Sequence, residues 1–311
     1  MRFLARGFGI DVLGFSILSS HFHVVLRNRP DVVATWSDTV VARRWLRLCP
    51  IRKQADGSPQ EPTEAELDSI RNDPARLAEI RIRLSDISWW MRMVAEKIAR
   101  QANTEEECSG RFWQGRFKAV KLVDDAAILA CCVYVDLNPV RAAICCTPEA
   151  SDHTSVQRRI EQRRSNGPSR PGSSSRATTH GPADWLAPIE LTGDGVGSDA
   201  CRDGAPRCSD RGFLAMSVDE YLTLVHWTAL HGTGRQLAAG KQGAIPAALE
   251  PILLRLGVEP AHWLQLAGQF GRLFRVAAGS PDALDREQDR CHARGRPRRR
   301  AYHAPGRHLL S

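Results

Sequence analysis

Alternating apolar and polar positions near the N-terminus predict a β-hairpin. Residues 10–18 (IDVLGFSIL) are apolar and rich in residues that favour strands. Residues 21–27 (HFHVVLR) alternate with the period of two that a half-buried strand shows. Ser19 and Ser20 lie between the two runs and can form a tight turn. We therefore expect two antiparallel strands joined by a short loop.

The second of these strands should present two different faces. Successive side chains of a strand point to opposite sides, so His21, His23 and Val25 share one face. The other face should carry the apolar residues Phe22, Val24 and Leu26. Two imidazoles next to each other on an otherwise apolar strand call for an explanation.

Helical periodicity follows the hairpin. Residues 36–48 (WSDTVVARRWLRL) predict one helix, and residues 74–103 are long enough for one or two more. After Gly110, residues 111–123 (RFWQGRFKAVKLV) predict an extended segment that carries several cations. This pattern indicates a helical insertion between the hairpin and the extended segment.

The next predicted helix contains one of only three tyrosines. Asp124 or Asp125 should cap a helix that continues to Asn138, because Pro139 disfavours helical geometry in the residue before it. Tyr134 precedes Asn138 by four residues, so a phenol and a carboxamide should lie side by side on one helix face. The alternative is a core tyrosine followed by an asparagine that ends the helix.

The composition changes after about residue 160. Residues 161–212 are rich in Ser, Gly, Pro and Arg and predict a flexible linker. Residues 213–280 predict a small helical segment, and residues 281–311 a disordered basic tail that either contacts phosphates or is simply solvated. Residues 1–160 would then form the principal domain.

Two helices are expected in the small helical segment. Ser217 and Glu220 have the spacing of a capping box, which predicts a helix to about Ala229. Pro260 suits the first turn of a second helix. The apolar positions of that helix fall on one face, which favours core packing: Trp263, Ala267, Phe270 and Phe274.

Composition and charge narrow the class of protein. The chain has 311 residues, 42% of them hydrophobic, with no apolar run long enough for a membrane span and no signal segment. These features predict a cytoplasmic globular protein without a membrane partner. Nine cysteines without a CxxC pair favour buried reduced thiols over disulfides or zinc. A net charge of +8 indicates a polyanionic partner.

The paired histidines admit two interpretations. His21 and His23 project in one direction and could bind one divalent ion, with a third ligand supplied from elsewhere. In a chain with ten histidines such a pair also arises by chance, as ordinary surface residues. The pair alone does not decide between them.

Taken together, the motifs resemble a known family. HFHVVL, followed by RFWQGRFKAVKLVDDAAILACCVYVDLNPVRAAI, resembles the single-tyrosine HUH transposases of the insertion-sequence-200-like family, in particular their REP-associated tyrosine transposase group. The matching elements are H-hydrophobe-H, W-Q-x-R-F and Y-x-x-x-N-P-V-R, in the family's order. The resemblance covers about residues 10 to 155.

The resemblance implies an α+β fold. The family's nuclease domain is ferredoxin-like, with the histidines on a central strand and the tyrosine helix beside it; here it would carry the helical insertion and a helical C-terminal extension. The family's opening strand has no counterpart before residue 10, so the domain is expected to be N-terminally truncated relative to the family. We would then expect an unpaired strand edge, poor stability and no cleavage activity.

The resemblance also implies the roles of individual residues. Tyr134 corresponds to the nucleophile, which forms a 5′-phosphotyrosine link to single-stranded DNA, expected as a hairpin. His21, His23 and Asn138 correspond to the ligands of Mg²⁺ or Mn²⁺. The cations proposed to contact DNA are Arg111, Arg116, Lys118, Lys121 and Arg141. Whether the protein is a monomer or a homodimer stays open.

Three functions remain to be compared. The first is a transposase that cleaves and rejoins single-stranded DNA. The second is an inactive transposase remnant that acts as a DNA-binding protein. A metal-dependent hydrolase that uses water is less favoured, because no carboxylate suited to act as a general base lies near either motif. Trp113 and Phe117 could stack on bases, although we expect both to face the core.

Overall fold

The fold is α+β, as the sequence predicts, and most of its regular structure is helical. The computed structural model describes residues 1–166, 181, 183–191, 204–232, 245–295 and 306–310. Within these ranges the strands form two sheets of two strands each. No helix in the described ranges combines the length and apolar character needed to cross a bilayer.

The elements before the tyrosine helix are α1 Arg2–Gly7, β1 Ile10–Ile17, β2 Phe22–Asn28, α2 Pro30–Thr35, α3 Asp38–Leu48, α4 Glu64–Arg71, α5 Pro74–Leu84, α6 Ile87–Glu105 and β3 Lys121–Leu122. The later elements are α7 Asp125–Asp136, α8 Asn138–Arg141, α9 Ser155–Asn166, α10 Val218–His231, α11 Glu250–Arg255, α12 Trp263–Leu273, β4 Ala277–Ala278 and α13 Pro281–Ala293.

The predicted hairpin is confirmed. Strands β1 and β2 are antiparallel, with Ser16 opposite His23. A β-bulge at Leu13 shifts the alternation of the strand by one residue, so Val12 and Phe15 pack in one core although they are three residues apart, and Leu13 packs in the other. The described ranges contain no sheet of more than two strands, so the ferredoxin-like sheet, expected to lack its first strand, is not confirmed.

One face of the hairpin packs on the helical insertion. Phe22, Val24 and Leu26 contact a core formed chiefly by helices α1 to α6. Trp90 of α6 is fully buried there. We call this cluster the insertion core.

Helices α5 and α6 account for the one or two helices expected over residues 74–103. They are separate because Asp86 ends the run and accepts a hydrogen bond from the Ser88 amide, 2.6 Å away, as the cap of α6. Helix α4 was not predicted, although Thr63 and Glu66 form a capping box before its polar sequence.

The other face of the hairpin packs on α7. Leu13 and Val25 join a second core in which the apolar side chains of α7 meet those of α10, α11 and α12. We call it the α7 core. The small helical segment, residues 213–280, therefore shares a core with the tyrosine helix. The predicted apolar face of α12 is buried in that core: Trp263, Ala267, Phe270 and Phe274.

The prediction of a flexible linker over residues 161–212 is wrong for the described part of it. Residues 161–166 belong to α9, and Trp185, Leu186 and Ile189 are buried. Ser209 donates a hydrogen bond to the buried carboxylate of Asp11, 3.0 Å away. The average composition of the segment is polar, but it contains short apolar stretches that are buried beside the hairpin. Residues 167–180, 182 and 192–203 lie outside the described ranges.

The prediction of a disordered tail over residues 281–311 is also wrong for its described residues. Pro281–Ala293 form α13, in which Leu284 is fully buried, and Leu309 and Leu310 are buried in the α7 core. The arginines that suggested disorder are concentrated after α13, in 294–300, most of which lies with 301–305 and 311 outside the described ranges.

The cysteines differ from the expectation in their burial. None of the eight described cysteines is joined to another by a disulfide. Cys132 and Cys208 are buried as expected, but Cys49, Cys108 and Cys146 are exposed. Cys201 lies outside the described ranges.

Candidate active site

The hairpin brings the two histidines together. Leu18 donates its amide to the His21 carbonyl across the tight Ser19–Ser20 turn, at 2.9 Å, which places His21 immediately before β2. The imidazole rings of His21 and His23 meet edge to face, with centroids 5.0 Å apart. The alternation of the strand thus produces the expected pair.

The two rings have different surroundings. His21 is exposed, and its Nδ1 lies 3.0 Å from the Ser20 hydroxyl. Burial lowers the pKa of His23 to about 4, and the nearby charges of His21 and Arg141 act in the same direction. His23 is therefore neutral near pH 7 and retains an unprotonated nitrogen that can act as a ligand.

Helix α7 places Tyr134 beside this pair. Asp124 caps the helix by accepting the Ala127 amide at 2.9 Å, which identifies the cap between the two candidates. The half-buried ring of Tyr134 meets the His23 ring edge to face, with centroids 6.0 Å apart. Tyr134 is thus in direct proximity to the histidine pair.

Arg141, predicted to contact DNA, lies on the tyrosine instead. Its guanidinium carbon is 4.0 Å from the centroid of the Tyr134 ring, and it donates a hydrogen bond to the Tyr134 carbonyl. This bond satisfies a carbonyl near the end of α7, where the helix is interrupted at Leu137. Burial lowers the pKa of Arg141 to about 10, so it stays charged at neutral pH.

Asn138 occupies a position different from the predicted helix end. Helix α7 stops at Asp136, and Asn138 begins the short helix α8, with Pro139 in its first turn. The amide nitrogen of Asn138 is buried and makes no hydrogen bond within the described structure.

Of the three predicted metal ligands, the structure brings His21 and His23 into contact. No hydrogen bond joins Asn138 to either histidine in the described ranges. The same ranges contain no group of three or more His, Cys, Asp and Glu side chains that could hold a metal ion. Any ion held by His21 and His23 would thus need an amide, a backbone oxygen or water to complete its coordination.

Helix α12 contacts both Tyr134 and Arg141. The Phe270 ring lies 6.0 Å from the tyrosine ring, centroid to centroid, and the Ala267 carbonyl accepts a 3.5 Å hydrogen bond from Arg141. No sequence pattern placed α12 at the tyrosine, since the apolar face of this helix predicted core packing alone.

A segment rich in arginine, lysine and aromatic residues lies on the surface. We call residues 111–118 the basic strap. Its cations Arg111, Arg116 and Lys118 are exposed and have no ionic partner within the described ranges. Lys121, further along, pairs with Glu287 of α13. Of the five predicted DNA contacts, three are therefore unpaired cations in the strap, Lys121 is paired, and Arg141 lies over the Tyr134 ring.

The aromatic residues of the strap have unequal roles. Trp113 faces the interior, as expected: its indole nitrogen donates to the Ala95 carbonyl at 2.8 Å, and its ring meets Phe22 at 5.7 Å. Phe117 was expected in the core, but 46% of it is exposed, and Phe112 is 43% exposed. The prediction for Phe117 is wrong because the segment has no helix or strand partner there.

A buried carboxylate supports the tyrosine helix. Asp136 accepts hydrogen bonds from the Tyr221 hydroxyl at 2.6 Å, from the Val156 amide at 3.0 Å and from the Ser155 hydroxyl. Burial raises the pKa of this carboxyl. The sequence held one signal that we did not use, an aspartate on the apolar helix two residues after Tyr134.

Comparison with known proteins leaves the family open. No family model, curated protein or solved structure matches this chain.

Proposed function

We propose that this protein cleaves and rejoins single-stranded DNA, with Tyr134 as the nucleophile. The observation that carries the proposal is the cluster of His23, Tyr134 and Arg141, in which the phenol ring contacts both an imidazole and a guanidinium. Three of the residues that the motif resemblance singles out thus lie together, although the hairpin and α7 are far apart in the chain. The α+β fold, with a helix across a histidine-bearing hairpin, is consistent with the ferredoxin-like arrangement.

The reaction would proceed by in-line displacement. The phenol loses its proton to solvent, its oxygen bonds to the phosphorus, and the bond from phosphorus to the 3′-oxygen breaks. The released 3′-oxygen takes up a proton, and the 5′-phosphate stays on Tyr134. Attack by a 3′-OH reverses these steps, so strands are rejoined without ATP.

The protein's own groups have defined tasks in this scheme. Arg141 carries positive charge over the ring of the proposed nucleophile, where it can stabilise the negative charge that the ring carries once the phenol proton has left. The contacts of Tyr134 with His23 and Phe270 restrict the ring, so that less orientational freedom is lost on reaction.

His21, His23 and Asn138 are the proposed holders of Mg²⁺ or Mn²⁺. Their fit rests on two imidazoles in contact, and the carboxamide oxygen of Asn138 would be the third donor. When bound, the ion would supply positive charge at the scissile phosphate.

The basic strap is the proposed surface for the strand. Arg111, Arg116 and Lys118 have charge free for phosphates, while the exposed rings of Phe112 and Phe117 offer faces on which unpaired bases can stack. The strap starts beside the hairpin, because the Trp113 ring contacts that of Phe22, the residue between His21 and His23 in the sequence.

End-labelled DNA hairpins with randomised single-stranded flanks provide the test. A 5′-phosphotyrosine link transfers a 3′-end label to the protein and releases a 5′-labelled fragment that ends in 3′-OH. We expect the 3′ label to stay on the denatured protein in the presence of Mn²⁺. DNA binding without any label transfer would favour the inactive, DNA-binding alternative.

A further inference from the structure

Three successive contacts join α12 to the tyrosine site. Ala267 receives a hydrogen bond from Arg141, Phe270 meets the tyrosine ring, and Gly271 lies against the phenol oxygen. Positions three and four residues apart occupy one face of a helix, so a single face of α12 lines the site.

A glycine is needed at position 271 because there is no room for a larger side chain, and not because of its backbone conformation. Its φ is not positive, so any residue could adopt the same backbone geometry, and glycine is a poor helix former. A methyl group at this position would lie 2.9 Å from the Tyr134 phenol oxygen and 3.4 Å from its Cζ. The first distance is shorter than a van der Waals contact, so the phenol would have to move.

We infer that Gly271 is a positioning residue, which sets where the phenol oxygen of Tyr134 lies relative to His23. The inference rests on the proposed function, since a precise oxygen position matters only if Tyr134 reacts. It makes helix α12 part of the proposed active site.

The chain supplies a matched control on the same helix. A methyl group at Gly268 would have no neighbour within 4 Å. Gly268→Ala and Gly271→Ala therefore make the same chemical change in one helix, and only the second meets the tyrosine.

The first measurement is NMR of protein labelled with ¹³Cζ-tyrosine. The three tyrosines give three signals, and Tyr134→Phe assigns the relevant one. We expect Gly271→Ala to shift the Tyr134 signal and leave that of Tyr221 in place, and Gly268→Ala to leave both unchanged. An unchanged Tyr134 signal in Gly271→Ala would overturn the inference whatever the activity.

The second measurement is the rate of covalent label transfer. We expect Gly271→Ala to lower this rate about tenfold to a hundredfold while DNA binding is unchanged, because small displacements of a reacting group cost rates of this order. A shifted signal with an unchanged rate would also overturn the positioning role. If the parent protein forms no adduct, the proposed function fails, and the NMR comparison still tests the contact.

A third measurement covers the case in which Gly271→Ala folds poorly. Combining it with Tyr134→Phe removes the oxygen that the methyl group would meet. We expect the loss of thermal stability to be smaller in the Tyr134→Phe background than in the parent. An equal loss in the two backgrounds would show that Gly271 acts elsewhere.

Discussion

The ring of Tyr134 meets the ring of His23 edge to face, with centroids 6.0 Å apart. One residue comes from a strand near the N-terminus and the other from α7, with the whole helical insertion between them in sequence. The contact exists because the hairpin directs its two faces to different cores, and the histidine face meets α7. Much of the chemistry expected of this protein depends on that contact.

Removing the phenol oxygen should separate catalysis from binding. We expect Tyr134→Phe to lower label transfer by at least about a thousandfold, because no other group replaces a covalent nucleophile. Binding of single-stranded DNA should stay unchanged, since the ring is retained. Persistent adducts in this variant would assign the nucleophile to another residue. Tyr221→Phe, measured in parallel, should still form the adduct.

Replacing either histidine should abolish metal dependence. We expect His21→Ala and His23→Ala each to lose Mn²⁺-stimulated label transfer, and EDTA to have the same effect on the parent protein. Mn²⁺ should act at lower concentrations than Mg²⁺, because Mg²⁺ is held mainly by oxygen ligands. His292→Ala, an exposed histidine on α13, is the control. Transfer that continues in EDTA would exclude a metal role.

Charge removal in the basic strap should weaken binding in a salt-dependent way. We expect Arg111→Gln, Arg116→Gln and Lys118→Gln each to reduce the slope of log affinity against log salt by about 0.7 for single-stranded DNA. Lys121→Gln should have a smaller effect, because Glu287 already neutralises its charge. Fluorescence anisotropy across a salt series measures these slopes. Equal effects at all four positions would contradict the distinction.

Two aromatic residues of the strap, Phe117 and Trp113, should respond differently to truncation. Phe117→Ala should weaken single-strand binding by about 1–3 kcal/mol, the usual contribution of a stacked base, with the melting temperature unchanged. Trp113→Ala should lower the melting temperature, because its ring and indole nitrogen are packed against Phe22 and Ala95. Thermal unfolding and anisotropy together separate the two effects.

The Asp136 network should govern stability and its pH dependence. Tyr221→Phe leaves a buried carboxylate oxygen without its donor and should cost about 1–3 kcal/mol of unfolding free energy. Burial raises the pKa of Asp136, so the folded state holds this proton more tightly than the unfolded state. The group's contribution to stability is therefore lost as pH rises from about 4, the ordinary aspartate value, through the raised one.

Urea unfolding of the parent and of Asp136→Asn over this range measures the effect. We expect the parent to lose stability relative to the variant as pH rises, since the variant has no carboxyl to ionise. A parallel pH dependence of the two proteins would mean that Asp136 does not titrate in this window.

Local patterns predicted local structure well. The hairpin, the Asp124 cap, the Ser217 capping box and the apolar face of α12 each depend on a few neighbouring residues. The placement of Arg141 on the tyrosine ring and of Gly271 against its oxygen depends on how distant elements pack. No spacing in the chain encodes those contacts, which is why Arg141 was assigned to DNA alone and Gly271 to nothing.

The average composition predicts a flexible linker incorrectly where short apolar stretches lie inside polar sequence. Residues 183–191 contain Trp185 and Ile189, which are buried beside the hairpin, yet the surrounding segment is rich in Ser, Gly and Arg. A few buried side chains suffice to fix such a segment, since each contributes about 1.5–3 kcal/mol on burial.

The parallel pairing of β3 with β4 also bears on how the protein reaches its native state. Lys121–Leu122 is held by Ala277–Ala278, and the apolar side of α7 is covered by helices that follow residue 217. During synthesis the insertion core, drawn mainly from the first hundred residues, has most of its partners early. The α7 core cannot form until the helices that follow residue 217 have been synthesised. Contacts so distant in sequence slow folding, so Tyr134 would be among the last parts of the molecule to become ordered.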